Sequence, residues 1–127
     1  MQPEEVRYER GLAKMREMFG AGVDSALKGI AATSPDLARV LVEFPFGDVY
    51  PRPGLDLKTR EMLTVEALTV LGSPQGELKE NIRGALNVGC IRDEILEIIL
   101  QMAVYAGFPA ALEAVKTAAS VFGEAES

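Results

Sequence analysis

Apolar residues recur every three or four positions along almost the whole chain, and this spacing places them on one face of an α-helix. No segment of useful length alternates apolar and polar residues as a half-buried β-strand does. The 127 residues suffice for one domain but not for two of ordinary size. The sequence therefore predicts an all-α protein, a single-domain bundle of about six to seven helices over residues 1–127.

Capping and helix-breaking residues give the expected boundaries of these helices. Ser34, Asp56 and Ser73 suit N-cap positions, and Pro45 is expected to disturb the third helix. The stretch 47–55 holds two prolines and two glycines and is expected to be the one long irregular segment. The expected helices cover approximately residues 3–19, 23–31, 35–44, 57–71, 74–89, 92–106 and a final segment after Gly107.

Two of these helical segments, 62–71 and 102–106, are apolar on almost every side. A helix that is apolar all round is buried, either in its own core or against a partner chain. A chain of this size buries only about two-thirds of its unfolded surface, so we expect several copies to share the burial. The predicted assembly is therefore a homo-oligomer.

Charge and composition exclude several classes of protein. The net charge is -6 and the basic residues are scattered, so no nucleic-acid partner is expected. No apolar run reaches the ~18 residues of a membrane span, and the acidic N-terminal residues do not resemble a secretory signal. The single cysteine, Cys90, cannot form an intrachain disulfide. The expected location is therefore cytoplasmic, with no membrane partner.

The chain contains no histidine. This excludes histidine-based metal sites, serine or cysteine nucleophiles activated by histidine, and a histidine general base. We expect no metal site, and any proton transfer must use Glu, Asp, Tyr, Lys or Cys.

Glu61 is the leading candidate for that proton transfer. It shares an apolar line of the fourth helix with Leu57, Thr64, Leu68 and Leu71. A carboxyl group there either has a cationic partner or has its pKa raised by desolvation, and both suit a general acid or base. The structural alternative is a buried salt bridge, for instance to an arginine.

Other polar residues on the helices have weaker claims. Asn81 lies at the edge of the apolar stripe of the fifth helix, where its amide needs hydrogen-bond partners and where a purely structural role is also open. Arg83 lies on a different face, with Glu80 three residues earlier as a surface partner. Glu66 interrupts an apolar run and is expected at a solvated or rim position.

Cys90, Tyr50 and Arg52 complete the set of candidates. Cys90 precedes a helix, and a helix N-terminus lowers the pKa of a thiol, although a lone cysteine is most often an inert small residue. Tyr50 and Arg52 flank prolines in the irregular segment, where ligand-binding groups often lie.

In five blocks the chain resembles the carboxymuconolactone decarboxylase family. These are RYERG at residues 7–11, EFPFGDVYPRPGLD at 43–56, KTREMLT at 58–64, NIRGALNVG at 81–89 and QMAVYAGFPAA at 101–111. The resemblance extends from residue 7 to about residue 118. It implies an all-helical fold shared with alkylhydroperoxidase D-like proteins, assembled as trimers or hexamers. It also implies decarboxylation of 4-carboxymuconolactone to an enol-lactone, without a cofactor, in the degradation of aromatic acids.

Two departures distinguish this chain from its apparent relatives. The peroxidases of the superfamily use a Cys-x-x-Cys pair downstream of a glutamate that Glu61 matches, but residues 71–81 contain no cysteine. Asn81 stands where the decarboxylases usually have a histidine, and an amide cannot exchange a proton near neutral pH.

Three functions follow as hypotheses. The first is a cofactor-free lyase acting on a small organic acid, with Glu61 as acid or base and Asn81 donating hydrogen bonds to an enolate oxygen. In this hypothesis Arg52, Arg60 or Arg83 holds the substrate carboxylate. The second is a non-catalytic oligomeric binding or scaffold protein of the same fold. The third, which the absent Cys-x-x-Cys disfavours, is a thiol oxidoreductase using Cys90. Because of Asn81, activity on 4-carboxymuconolactone itself is expected to be weak or absent.

Overall fold

The computed structural model describes residues 3–72 and 76–126, and within these ranges it contains seven α-helices, one 3-10 turn, one π-helix and no β-strand. The prediction of an all-α protein is therefore confirmed. The expected cap at Ser73 lies outside the described residues. The α-helices are α1 (Pro3–Phe19), α2 (Val23–Thr33), α3 (Pro35–Leu41), α4 (Leu57–Leu71), α5 (Glu77–Asn87), α6 (Arg92–Ala106) and α7 (Phe108–Glu126); the 3-10 turn is Gly20–Gly22 and the π-helix is Val42–Val49.

Side-chain caps fix the starts of α3 and α4 where the sequence predicts them. The backbone N–H of Leu37 donates to the Ser34 hydroxyl at 3.1 Å, and that of Thr59 donates to the Asp56 carboxylate at 2.8 Å. Each cap satisfies a backbone donor that the first turn of a helix leaves open. At the other end of α4, Gly72 adopts a φ of 62°, a left-handed conformation that glycine adopts without steric cost.

The predicted start of the irregular segment 47–55 is wrong, because residues 47–49 belong to the π-helix. The chain continues from α3 into the π-helix, which runs through Pro45, and the N–H of Tyr50 donates to the Pro45 carbonyl at 2.8 Å. Proline cannot donate an N–H, and in an α-helix its ring clashes with the carbonyl four residues earlier. The wider turn of a π-helix, with bonds five residues apart, accommodates Pro45 without ending the helix.

The contacts divide the chain into two compact units, Met1–Leu55 and Asp56–Ser127, and the assignment of one domain to the whole chain stays a prediction. In the first unit, α1 packs against the π-helix at two glycines. A Cβ atom at Gly11 would collide with the carbonyl oxygen of Val42, and one at Gly47 would lie 2.8 Å from the carbonyl oxygen of Arg7. The Arg7 guanidinium donates to both oxygens of Asp48, at 3.0 and 2.6 Å. Residues from the first two blocks of the resemblance therefore hold these two helices together.

The second unit is built from α4, α5, α6 and α7 around one apolar core. The buried residues of this core are Val65, Leu78, Ile82, Ala85, Cys90, Ile95, Ile99, Ala111, Ala114, Ala118, Val121 and Phe122. Small residues on α7 let its backbone approach the neighbouring helices closely. Within the described ranges, no helix is both long and apolar enough to cross a membrane.

The end of α6 is not buried in the core of its own chain. Met102 is buried, but Val104 is 76% and Tyr105 75% exposed, so the first of the two alternatives for the segment 102–106 is wrong. Only one side of the helix can face the core, and the remaining apolar side chains face outward. With α7 they form an exposed apolar face comprising Leu96, Leu100, Val104, Tyr105, Phe108, Leu112 and Val115.

Candidate functional site

Helix α4 places Glu61 inside the second unit. The buried positions of α4 are Glu61, Val65 and Thr69, spaced four residues apart as one face of a helix requires. Glu61 is 0% exposed. The predicted burial of Glu61 is therefore confirmed. The buried face of α4 is rotated away from the predicted apolar line, because Leu71, the last residue of that line, is largely exposed.

Among the residues that the structure describes, none provides a hydrogen bond for the charge of the Glu61 carboxyl. Neither of its oxygens has a hydrogen bond from any residue in the described ranges, so the buried salt bridge considered as the structural alternative is not formed there. Burial raises the pKa of Glu61 to about 7, because removal from water penalises the charged form. At neutral pH this group is divided between its neutral and charged forms, as a general acid or base must be.

Cys90, in the turn before α6, is also buried. Its Sγ donates to the carbonyl oxygen of Lys58 at 3.8 Å. Burial raises the pKa of the Cys90 thiol, and the charges of Glu94 and Glu61 raise it further. The lowering expected from the helix N-terminus is therefore wrong in direction. A buried, protonated thiol is a poor nucleophile, which further disfavours a redox role.

An ion pair that sequence reasoning missed lies at the surface above Cys90. Lys58 Nζ is 3.0 Å from Glu94 Oε2, and the other oxygen of Glu94 accepts from the backbone N–H of Ile91 at 3.0 Å. The first turn of α4 is thus tied to the first turn of α6. Because Lys58 and Glu94 belong to different helices, no spacing within the sequence indicates their contact.

The predicted roles of Asn81 and Arg83 compete with structural contacts. The Asn81 amide donates to the Glu77 carbonyl of its own helix at 2.9 Å. Arg83 pairs with Glu124 at 2.7 Å and also with Glu80, so the predicted surface partner is confirmed. Two carboxylates already neutralise this guanidinium, which leaves it poorly suited to hold a substrate.

The remaining candidates are distributed over both units. Tyr50 and Arg52 belong to the first, where the Tyr50 ring packs against Phe46 with centroids 4.9 Å apart and Arg52 is exposed. Arg60 and Glu66 are half-buried on α4, consistent with a rim position for Glu66. The substrate-binding roles of Tyr50, Arg52 and Arg60 stay predictions.

Glu61 is not among the lining residues of two grooves on the described surface. One, of about 290 Å³, lies between α6 and α7 and is lined by Arg92, Leu96, Val115, Ala119, Phe122 and Gly123. The other, of about 330 Å³, is in the first unit and is lined by Glu4, Glu5, Tyr8, Glu9, Arg39 and Glu43.

Comparison with known proteins gives consistent matches. The sequence model described as "Carboxymuconolactone decarboxylase family" matches residues 35–120. The chain is 35% identical, over 94% of its own length and 89% of the relative's, to a 4-carboxymuconolactone decarboxylase of Acinetobacter baylyi. It is 33% identical, over 84% of its length and 75% of the relative's, to a nitrosuccinic acid decarboxylase of Metarhizium robertsii. An uncharacterized 15.0 kDa protein of Paracoccus denitrificans is 40% identical over 71% of this chain and 68% of its own.

Proposed function

The chain belongs to the carboxymuconolactone decarboxylase family, and from that premise we propose that it decarboxylates a small organic acid without a cofactor, using Glu61 as its acid–base residue. The observation that carries the proposal is the Glu61 carboxyl, which is fully buried, has no partner among the described residues and has a pKa of about 7. Decarboxylase-like function is also what the two named decarboxylase relatives support.

Decarboxylation requires that one proton be delivered to the carbon atom that loses CO₂. The bond between the substrate carbon and its carboxylate breaks, CO₂ leaves, and the electron pair passes to that carbon and the group conjugated with it. The neutral form of Glu61 then gives its proton to the carbon, and the resulting carboxylate recovers a proton from water. A donor whose pKa lies near the working pH serves both halves of this cycle.

The names of the two relatives suggest the class of substrate. 4-Carboxymuconolactone carries a carboxyl group on a lactone, and nitrosuccinic acid carries one beside a nitro group. In both compounds an electron-withdrawing group is available to accept the electron pair that CO₂ leaves behind. We therefore propose a di-acid of this kind, activated by a neighbouring carbonyl or nitro group, as the substrate.

The test compares the native chain with Asn81→His, using CO₂ release from 4-carboxymuconolactone and from nitrosuccinic acid. Because Asn81 cannot carry a proton, we expect weak or absent turnover of the lactone by the native chain and a gain in Asn81→His. Ordinary enzyme rates on the lactone in the native chain would show that Asn81 is no handicap. If neither form acts on either acid and neither acid raises the melting temperature, a binding or scaffold function replaces this proposal.

We also propose a homo-oligomer of three or six copies, with the alkylhydroperoxidase D-like arrangement of helices, in the cytoplasm. The support is the exposed apolar face of α6 and α7, which includes Leu100, Val104, Tyr105 and Phe108. Apolar patches of this kind on a protein surface mark interaction sites. Light scattering is expected to give several times the 13.7 kDa chain mass, and a monomer at micromolar concentration would contradict the assembly.

A further inference from the structure

A decarboxylase built around Glu61 needs a cation to hold the acid that it acts on, and this inference rests on the function proposed above. Arg83 already pairs with Glu124 and Glu80. Lys58, in contrast, lies on the same face of α4 as Glu61, three residues before it. Its ammonium group reaches the surface, where an acid arriving from solvent can meet it.

The present partner of Lys58 is exchangeable. The side chains of Lys58 and Glu94 are 39% and 32% exposed, and their charges are 3.0 Å apart. Ion pairs exposed to this degree contribute little to stability, since water competes for both charges. A substrate carboxylate can therefore replace that of Glu94 at small cost.

Glu94 keeps a second anchor when Lys58 leaves it. Its Oε1 accepts from the N–H of Ile91, and it lies in the first turn of α6, where a negative charge is favoured. The Ile91 N–H and, after it, Lys58 hold the pKa of Glu94 below its usual range. Glu94 thus stays charged and in place without its lysine.

The Lys58 side chain also covers the turn 89–91. Its Cδ lies 3.8 Å from the position of a Cβ at Gly89, and the Cys90 thiol donates to its carbonyl oxygen. Side chains on a helix tilt toward its N-terminus, so the Glu61 carboxyl leans toward the level of Lys58. Cys90 packs in the same buried cluster as Val65, one turn beyond Glu61. The turn 89–91 therefore lies against α4 at the level of the buried carboxyl.

We propose that Lys58 binds the substrate's carboxylate in exchange for Glu94, and that loss of the Lys58–Glu94 pair loosens the turn 89–91 so that the acid reaches Glu61. The ion pair is then a latch that a carboxylate opens. This accounts for a catalytic carboxyl that is 0% exposed in the structure.

The sole thiol of the chain reports directly on this latch, because Cys90 lies on the turn that must move. The experiment measures the rate at which a thiol reagent labels Cys90, with succinate as the carboxylate probe and sodium chloride at equal ionic strength as the comparison. We expect Glu94→Gln to speed labelling about two- to fivefold, the range that an exposed ion pair supports. Succinate should speed labelling of the native chain in a saturable way and should have no such effect on Lys58→Met.

Lys79→Met is the matched control. Lys79 forms a comparable pair with Glu124, at 3.2 Å and with side chains 34% and 44% exposed, but away from the turn 89–91. Cys90 in the Lys79→Met variant should be labelled at the same rate as in the native chain. Labelling that is unchanged or slowed by succinate, or that rises equally in Lys79→Met and Glu94→Gln, would overturn the latch.

Kinetics on the substrate that the native chain decarboxylates separate this inference from the proposed function. Lys58→Met should raise KM more than it lowers kcat, and Lys58→Arg should restore KM, because an arginine also binds a carboxylate. An unchanged KM in Lys58→Met would refute the binding role while leaving Glu61 as the acid–base residue. If the chain decarboxylates nothing but succinate still opens the turn through Lys58, the latch stands as a carboxylate-binding site and the proposed function fails.

Discussion

Among the residues whose burial the structure describes, two glutamates are buried, one in each unit, and they have opposite surroundings. Glu43 in the π-helix is 7% exposed, and Arg39, one turn earlier, lies 3.5 Å from its Oε1. Glu61 in α4 is 0% exposed and has no hydrogen bond from any described residue. Burial alone therefore does not distinguish a structural carboxyl from a reactive one. The presence or absence of a cation beside the buried carboxyl makes that distinction.

The difference follows from how each carboxyl can be accommodated in an apolar setting. A buried charge is expensive unless it is paired, and a group without a partner avoids the cost by binding a proton. Arg39 gives Glu43 a cationic partner. Glu61 has only the second route, so its proton is available near neutral pH.

The largest expected effect is on activity. Glu61→Gln should lower decarboxylation by about 10²–10⁴-fold, the usual contribution of a general acid or base, because an amide cannot donate the proton. Glu43→Gln is the matched control and should leave kcat within a few-fold of the native value. Steady-state CO₂ release measures both. Equal losses in the two variants would erase the functional distinction between the two glutamates.

The second effect is on the pH dependence of stability. The folded pKa of Glu61, about 7, lies above its ordinary value of 4.5, so the folded state holds the proton more tightly than the unfolded chain. The favourable contribution is complete below pH 4.5 and is lost as the pH rises to 7, amounting to about 3 kcal/mol at ~1.4 kcal/mol per pKa unit.

Urea unfolding of the native chain and Glu61→Gln at pH 5 and pH 8 measures this contribution. The free energy of unfolding of the native chain should fall between these values relative to that of Glu61→Gln, which has no group to titrate. Parallel pH profiles for the two proteins would mean that Glu61 titrates in the folded state as it does in water.

The smallest effect comes from removing the partner of Glu43. Arg39→Met leaves a buried carboxylate without its cation and should cost about 1 kcal/mol of unfolding free energy, since Arg39 itself is half exposed. Adding Glu43→Gln to Arg39→Met should recover part of that loss. A loss in the double variant equal to the sum of the two single losses would show that the pair contributes nothing as a pair. Urea unfolding of the three variants supplies the comparison.

Periodicity and capping chemistry predicted most of the fold. Ser34 and Asp56 cap helices because their side chains reach a backbone N–H three residues on, a local effect visible in the sequence. Pro45 misled the prediction, because whether a proline ends a helix or widens it depends on packing of the π-helix against α1. The exposure of Tyr105 was equally hidden, since apolar character does not reveal which face meets the core.

Only one feature of the candidate site could be predicted from the sequence. The burial of Glu61 follows from its position among apolar residues on one helix. Its lack of a partner, and the pairing of Lys58 with Glu94, depend on side chains brought together from distant helices. Asn81 and Arg83 have suitable chemistry but are bound by Glu77 and Glu124. Sequence spacing can reveal the contact of Asn81 with Glu77, which lies within one helix. It cannot reveal the contact of Arg83 with Glu124, which joins two helices.

The most direct test of the account is the titration of Glu61 itself. Carbon NMR of the chain labelled at the glutamate side-chain carboxyls follows each of them as the pH is raised, and Glu61→Gln identifies the resonance of Glu61. We predict a pKa near 7 for that resonance, well above the ordinary glutamate value. A Glu61 resonance that titrates near pH 4.5 would contradict the neutral buried carboxyl and the proton donor proposed from it.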